Sequence, residues 1–164
     1  DPGNPLYTWT PFVYGGGSIF NFNPQAENAA TNGEWVDLQA LGTEGQGTTS
    51  FPERKKYSLI QFSAAFGGGV KIAVSNSFNI IFEYSTRKTF TDYLDDVSTT
   101  YPGGNLTDMT LEAIYMSDPV GASDPALLHE KGYQRGDPEK NDWYSFAGIT
   151  LSFKLANKTK GCDY

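Results

Sequence analysis

The stretch Leu59-Ile60-Gln61-Phe62-Ser63-Ala64-Ala65-Phe66-Gly67-Gly68-Gly69-Val70-Lys71-Ile72 decides the fold together with Phe78-Asn79-Ile80-Ile81-Phe82-Glu83-Tyr84-Ser85-Thr86-Arg87. In the first run Ile60, Phe62, Ala64, Phe66, Gly68, Val70 and Ile72 fall on one side, and Gln61, Ser63, Ala65, Gly67, Gly69 and Lys71 on the other. In the second, Phe78, Ile80, Phe82, Tyr84 and Thr86 oppose Asn79, Ile81, Glu83, Ser85 and Arg87. A period of two is the signature of a strand whose faces meet different surroundings. Ser75-Asn76-Ser77 between the runs is short and turn-like, so the two form a hairpin over Leu59 to Phe90. Each run exceeds the usual five or six residues of a globular strand and nears the roughly 9–11 that a tilted strand needs to cross a bilayer.

Two further strands share this character. One is expected at about Trp9 to Phe22, where Phe12, Tyr14, Phe20 and Phe22 share a face and Val13 and Ile19 take the other. The other is expected from Trp143 to Leu155, where Ala147, Ile149, Leu151, Phe153 and Leu155 oppose Phe146, Gly148, Thr150, Ser152 and Lys154. The connections are lopsided. Loops of about 23–57 and 91–142 join the first strand to the second and the third to the fourth, and a tail covers 156–164. Connections this long are uncommon in compact domains. One short helix is expected in the second loop, about Leu106 to Met116. Strands that alternate in direction put both long loops at one end and the short turn at the other, the arrangement of an outer-membrane barrel.

Composition fits this reading. The chain has 164 residues, 15% of them aromatic, with 18 glycines. Its mean hydropathy is -0.43, and no apolar run nears the eighteen or so residues of a transmembrane helix. A barrel strand gives a weaker signal because polar residues alternate with apolar ones. The net charge of -7 argues against a nucleic-acid partner. The single cysteine, Cys162, excludes an intrachain disulfide and a cysteine-based zinc site. Asp1-Pro2-Gly3-Asn4-Pro5 has neither a basic nor an apolar leader segment: either the protein is cytosolic, or processing or truncation has removed the start, and the strands favour the second.

Alternation sorts the sides without saying which is inside. A soluble barrel would hide the apolar face; a membrane barrel would show it to lipid. The lopsided loops favour lipid outside, as do the aromatics Trp9, Tyr57, Tyr84, Phe90, Tyr93, Trp143 and Tyr144, placed where interfacial girdles would sit. The expected fold is all-β, an antiparallel transmembrane up-and-down barrel. Four strands cannot close one, and eight is the smallest usual number. This chain would then supply about four C-terminal strands. Lys71, Glu83, Arg87 and Lys154 lie on the polar faces and are expected to form an ionic network in the lumen.

The residues also resemble a known family. Lys88-Thr89-Phe90-Thr91-Asp92-Tyr93-Leu94-Asp95-Asp96-Val97-Ser98, Arg135-Gly136-Asp137-Pro138, Asn141-Asp142-Trp143-Tyr144 and Phe146-Ala147-Gly148-Ile149-Thr150-Leu151 carry the similarity. Pro11-Phe12-Val13-Tyr14, Phe20-Asn21-Phe22-Asn23-Pro24 and Leu38-Gln39-Ala40-Leu41-Gly42-Thr43-Glu44-Gly45-Gln46-Gly47 add to it. They look like a family of Bacteroidota outer-membrane β-barrels that includes PorG, an accessory barrel of the type IX secretion system. The resemblance implies an outer-membrane location, with the long loops extracellular and the short turn and C-terminus periplasmic. It also implies contact with the periplasmic secretion-ring lipoproteins PorK and PorN or their equivalents, and it carries over no catalytic residue.

The remaining motifs support no chemistry as strongly. Asp92, Asp95 and Asp96 could offer hard oxygens to calcium, but their spacing matches no calcium loop. They read instead, with Arg135 and Asp137, as residues that organise the second loop. A hydrolase at the rim would need His129, the lone histidine, beside Asp95 or Asp96, and no motif supports it. Arg135-Gly136-Asp137 matches an adhesion tripeptide. The expected protein is therefore not an enzyme, with no cofactor, metal or small-molecule substrate, and with the lipid bilayer as its first partner. The alternatives are a stand-alone small barrel with structural or adhesive loops, the rim hydrolase, and a soluble lipocalin-like binder.

Overall fold

β-Branched and aromatic residues at every second position build the long strands. The computed structural model describes residues 8–75, 77–103 and 106–155. In chain order the elements are β1 (Trp9–Asn21), β2 (Gln25–Asn28), β3 (Glu34–Asp37), α1 (Leu38–Leu41), β4 (Ile60–Ser75), β5 (Phe78–Thr89), α2 (Leu111–Ser117), α3 (Pro119–Ser123) and β6 (Trp143–Phe153). The architecture is mostly β. The sheet runs β1-β4-β5-β6, and β2 and β3 form a separate pair. β5 and β6 are antiparallel, from Phe78 opposite Phe153 to Lys88 opposite Trp143. β1 also runs against β4. The Ala73 amide donates to the Thr8 carbonyl at 2.8 Å, and the Phe22 amide donates to the Leu59 carbonyl at 3.0 Å. β1 and β6 are the edges of the sheet, so these four strands do not close on themselves.

The chain divides into two compact units, each described by itself. The sheet unit comprises 1–18, 64–88 and 143–164. Its glycines bring backbones close. A Cβ on Gly69 would lie 2.2 Å from the Phe82 carbonyl oxygen and 2.6 Å from the Phe12 ring. Gly16 has open space around its own Cβ position. Gly69→Ala is therefore expected to lower stability by about 1–3 kcal/mol, while Gly16→Ala stays within about 0.5 kcal/mol. Denaturant midpoints of the two variants check the contrast.

The loop unit comprises 19–63 and 89–142. Leu38, Phe51, Ala113 and Met116 are its buried apolar side chains among the described residues. α2 and α3 start at side-chain caps. Thr110 accepts the Ala113 amide at 3.1 Å to open α2, and Asp118 accepts the Gly121 amide at 3.1 Å to open α3. The helix expected from Leu106 begins only at Leu111 because Asp108 is used elsewhere. Its carboxylate accepts the Ser50 amide and the Thr49 hydroxyl, both at 2.8 Å. The β2–β3 pair and the turns α1 and α3 lie in segments that read as loop from sequence.

Candidate functional site

The first candidate surface is the sheet's apolar face. It is the exposed one. Phe66, Val74, Phe82 and Tyr84 lie open, Ile149 is 67% exposed, and Val13 reaches 90%. The polar face holds the buried positions, with Ser63 at 2% and Ser85 fully covered. This inverts the pattern of a water-soluble sheet, in which apolar side chains leave water. It also resolves β1, whose two faces the sequence left ambiguous. Trp9, Val13 and Ile19 are exposed, and Phe12 and Phe20 are half-buried.

The polar face does not carry the expected ionic network. Among the described residues no ion pair joins Lys71, Glu83, Arg87 and Lys154. Arg87 donates to the Ser85 hydroxyl at 3.3 Å and lies 5.5 Å from the centre of the Tyr144 ring. Glu83 stands opposite Gly148, and Lys154 is exposed just beyond β6. The reason is geometric. Charges on one face pair only where they oppose each other across neighbouring strands, and here Glu83 faces Gly148 and Arg87 faces Tyr144.

The second candidate site is the polar centre of the loop unit, built on Glu44. Gly42 makes the turn before it possible: its φ of 68° suits glycine, and a Cβ there would fall 2.6 Å from the Gln46 carbonyl. Glu44 itself has no exposed surface. Its carboxylate accepts the Ser98 amide at 2.9 Å, the Thr99 amide at 3.0 and 3.1 Å, and the Thr99 hydroxyl at 2.6 Å. Arg135 completes it. Its guanidinium donates to Glu44 Oε1 at 3.1 Å, to the Asp96 carbonyl at 2.8 Å and to the Thr43 hydroxyl at 3.2 Å. Arg54 reaches the Glu44 carbonyl at 2.6 Å and the Thr100 hydroxyl at 2.7 Å.

Asp96 sits beside this centre, fully buried, with a left-handed φ of 68° that Asp tolerates better than most residues. Its carboxylate accepts the Thr43 hydroxyl, and it accepts the Tyr57 hydroxyl at 2.6 Å. Burial pushes the Asp96 carboxyl above its ordinary range, against the pull of Thr43, Tyr57 and Arg135. Burial also raises the Tyr57 and Tyr93 phenols, so both stay protonated and can donate. The two rings stack at 4.6 Å. Tyr57 and Tyr93 thus belong to the loop centre and not to an aromatic girdle. Tyr144 also leaves that set, because it pairs in register with Arg87 on the polar side.

The five loop residues singled out from sequence divide. Arg135 and Asp96 meet at the Glu44 centre. Asp95 accepts the Val97 amide at 3.1 Å, and Asp137 pairs locally with Lys140 at 2.7 Å. Asp92 has its Oδ2 buried without a hydrogen-bond partner among the described residues, and its carboxyl takes a hydrogen bond from the Ser98 side chain. Burial raises its pKa against the downward pull of that bond, and the charges of Asp142 and Asp95 add to the rise. Asp142 is raised too, by burial first. No group of three or more acidic, His or Cys side chains suited to a metal occurs among the described residues.

These shifts have a sign. A carboxyl raised on folding binds its proton more tightly in the native state, so stability falls as pH rises from the ordinary carboxylate value through the raised one. Asp92→Asn is therefore expected to flatten the loss of loop-unit stability as pH rises above the ordinary carboxylate range of about 4. Amide exchange of the loop residues over that rise tests it; an unchanged slope rejects it.

His129 does not meet Asp95 or Asp96. Its Nδ1 lies 3.0 Å from Asp118 Oδ2, which also accepts the His129 amide at 2.9 Å. Burial opposes the charge on Asp118, but bonds from the His129 and Gly121 amides and the imidazole outweigh it and hold the pKa low. The imidazole stacks on Tyr101 at 4.3 Å, at the wall of a cavity of about 370 Å³ shared with Leu106, Leu128 and Lys131. The adhesion tripeptide loses its exposed cation, because the Arg135 side chain is 9% exposed and held by Glu44. Glu44, Asp118 and Arg54 were not singled out from sequence. The one signal for Glu44 was its place in the glycine-spaced run Gly42-Thr43-Glu44-Gly45-Gln46-Gly47. No protein-family model, curated protein or solved structure matches the chain.

Proposed function

We propose that this chain is the C-terminal part of a non-enzymatic outer-membrane β-barrel, closed to about eight strands by segments outside it. One observation carries the reading. The outward apolar side carries most of the exposed large apolar side chains, while the buried positions of the long strands, Ser63, Ser85 and Thr89, all lie on the polar side. In water such a face would be a large apolar patch of the kind that marks an interaction or membrane surface. In a bilayer it is the low-energy arrangement. Strand lengths agree: β4 has 16 residues, β5 has 12 and β6 has 11, against the roughly 9–11 required to span. The open edges at β1 and β6 are where further strands would pair, since unpaired backbone is not tolerated in lipid.

Within that reading, the family resemblance supports an accessory or anchoring part in type IX secretion, with a PorK- and PorN-like periplasmic ring as partner. Crosslinking and pull-down from detergent-solubilised membranes test it. Recovery of ring lipoproteins is the expected result. A membrane-bound protein with no periplasmic partner would favour the stand-alone barrel, a reading that the self-contained Glu44 centre of the loop unit supports. A protein that stays soluble without detergent would remove both.

A further inference from the structure

The outward side of the sheet ends in a small polar row. Outward positions on β5 and β6 are apolar from Phe78 and Phe153 up to Tyr84 and Ala147. The next rung pairs Thr86 with Ser145, and the one after pairs Lys88 with Trp143. The side chains interlock. The Tyr84 hydroxyl donates to the Ser145 hydroxyl at 2.9 Å, and the Thr86 hydroxyl lies 3.2 Å from it. The Lys88 ammonium stands 5.5 Å from the centre of the Trp143 ring, and Phe66 meets that ring edge-on at 5.9 Å. Among the described residues of β4, β5 and β6, Lys88 is the one charged residue on this side. Glu83 and Arg87 face the other way, and no carboxylate shares the outward face.

A lone cation at the edge of an apolar field, with three hydroxyls below it and an exposed indole beside it, has a specific electrostatic complement. An ammonium does not stay in hydrocarbon; its stem lies along the apolar surface and its head reaches the phosphate level. An indole prefers the same depth. We propose that Lys88, Ser145 and Trp143 form a contact site for the phosphate of an anionic lipid headgroup, in the leaflet nearest the long loops. The ammonium supplies the charge and the hydroxyls donate hydrogen bonds to phosphate oxygens. The proposal rests on the membrane reading above.

The test uses the protein folded into vesicles with Trp9→Phe and Trp35→Phe, which leaves Trp143 as this chain's one tryptophan. Quenching of Trp143 by acyl-brominated phosphatidylglycerol is compared with quenching by brominated phosphatidylcholine. The expected result is an anionic-lipid preference of about fivefold, the effect of one basic residue near a charged surface. Lys88→Gln should abolish the preference while phosphatidylcholine still quenches, and Lys88→Arg should keep it. Equal quenching by both lipids in the parent would overturn this site and leave the membrane reading intact. No quenching by either would overturn the membrane reading itself. Loss of the preference on adding inorganic phosphate would reassign the site to free phosphate and overturn the lipid assignment.

Discussion

Glu44→Ala is expected to destabilise the loop unit by about 3–5 kcal/mol, the cost of breaking a buried ion pair from one side. The carboxylate is fully buried and accepts two amides, a hydroxyl and the Arg135 guanidinium. Removing it leaves the Arg135 cation, with little access to water, only the Asp96 carbonyl and the Thr43 hydroxyl, and takes the acceptor from the Ser98 and Thr99 amides. Glu44→Gln should lose less, because the amide keeps the shape and one acceptor oxygen. Pairing Glu44→Gln with Arg135→Met should recover part of the loss, since neither charge is then stranded. Exchange of the Ser98 and Thr99 amides, together with protease cleavage in 89–142, measures all three. A change under about 1 kcal/mol for Glu44→Ala would mean that the loops are held by something else.

The second large effect depends on the solvent around the sheet. Ile149→Arg should cost about 2–4 kcal/mol if the outward face lies in lipid, the penalty for a basic residue near the bilayer midplane. Ile149 stands opposite Phe82, in the middle of the exposed apolar field. In a soluble protein the same change at so open a position would stay within about 0.5 kcal/mol. Leu111→Arg is the control: Leu111 is exposed at the start of α2 in the loop unit and should tolerate the charge. Urea-dependent folding into vesicles gives both numbers. An Ile149→Arg effect no larger than that of Leu111→Arg would end the lipid-facing reading.

Much of the sheet was legible because its information is local. Every second residue from Ile60 to Ile72 and from Phe78 to Tyr84 reports its own face, and strand bounds follow where alternation stops. The loop unit was not legible in this way. Glu44 meets Thr99 and Arg135 across long stretches of chain, and no period links such residues. Asp118 both caps α3 and takes the folded-back His129, and no period links the two residues. Four charges at alternate positions suggested an ionic lumen network. Their pairing depends on what faces each one across neighbouring strands, where Glu83 meets Gly148 and Arg87 meets Tyr144.

The sequence by itself determined the antiparallel strands, their hairpin and the sorting of apolar from polar sides, because backbone pleating converts a period of two directly into faces. Only the tertiary structure decided which side is covered. Covering is set by close approaches such as the Phe12 ring against Gly69, which depend on three dimensions. The same holds for the loop centre, where burial turned an unremarked glutamate into the acceptor that joins residues 44, 99 and 135.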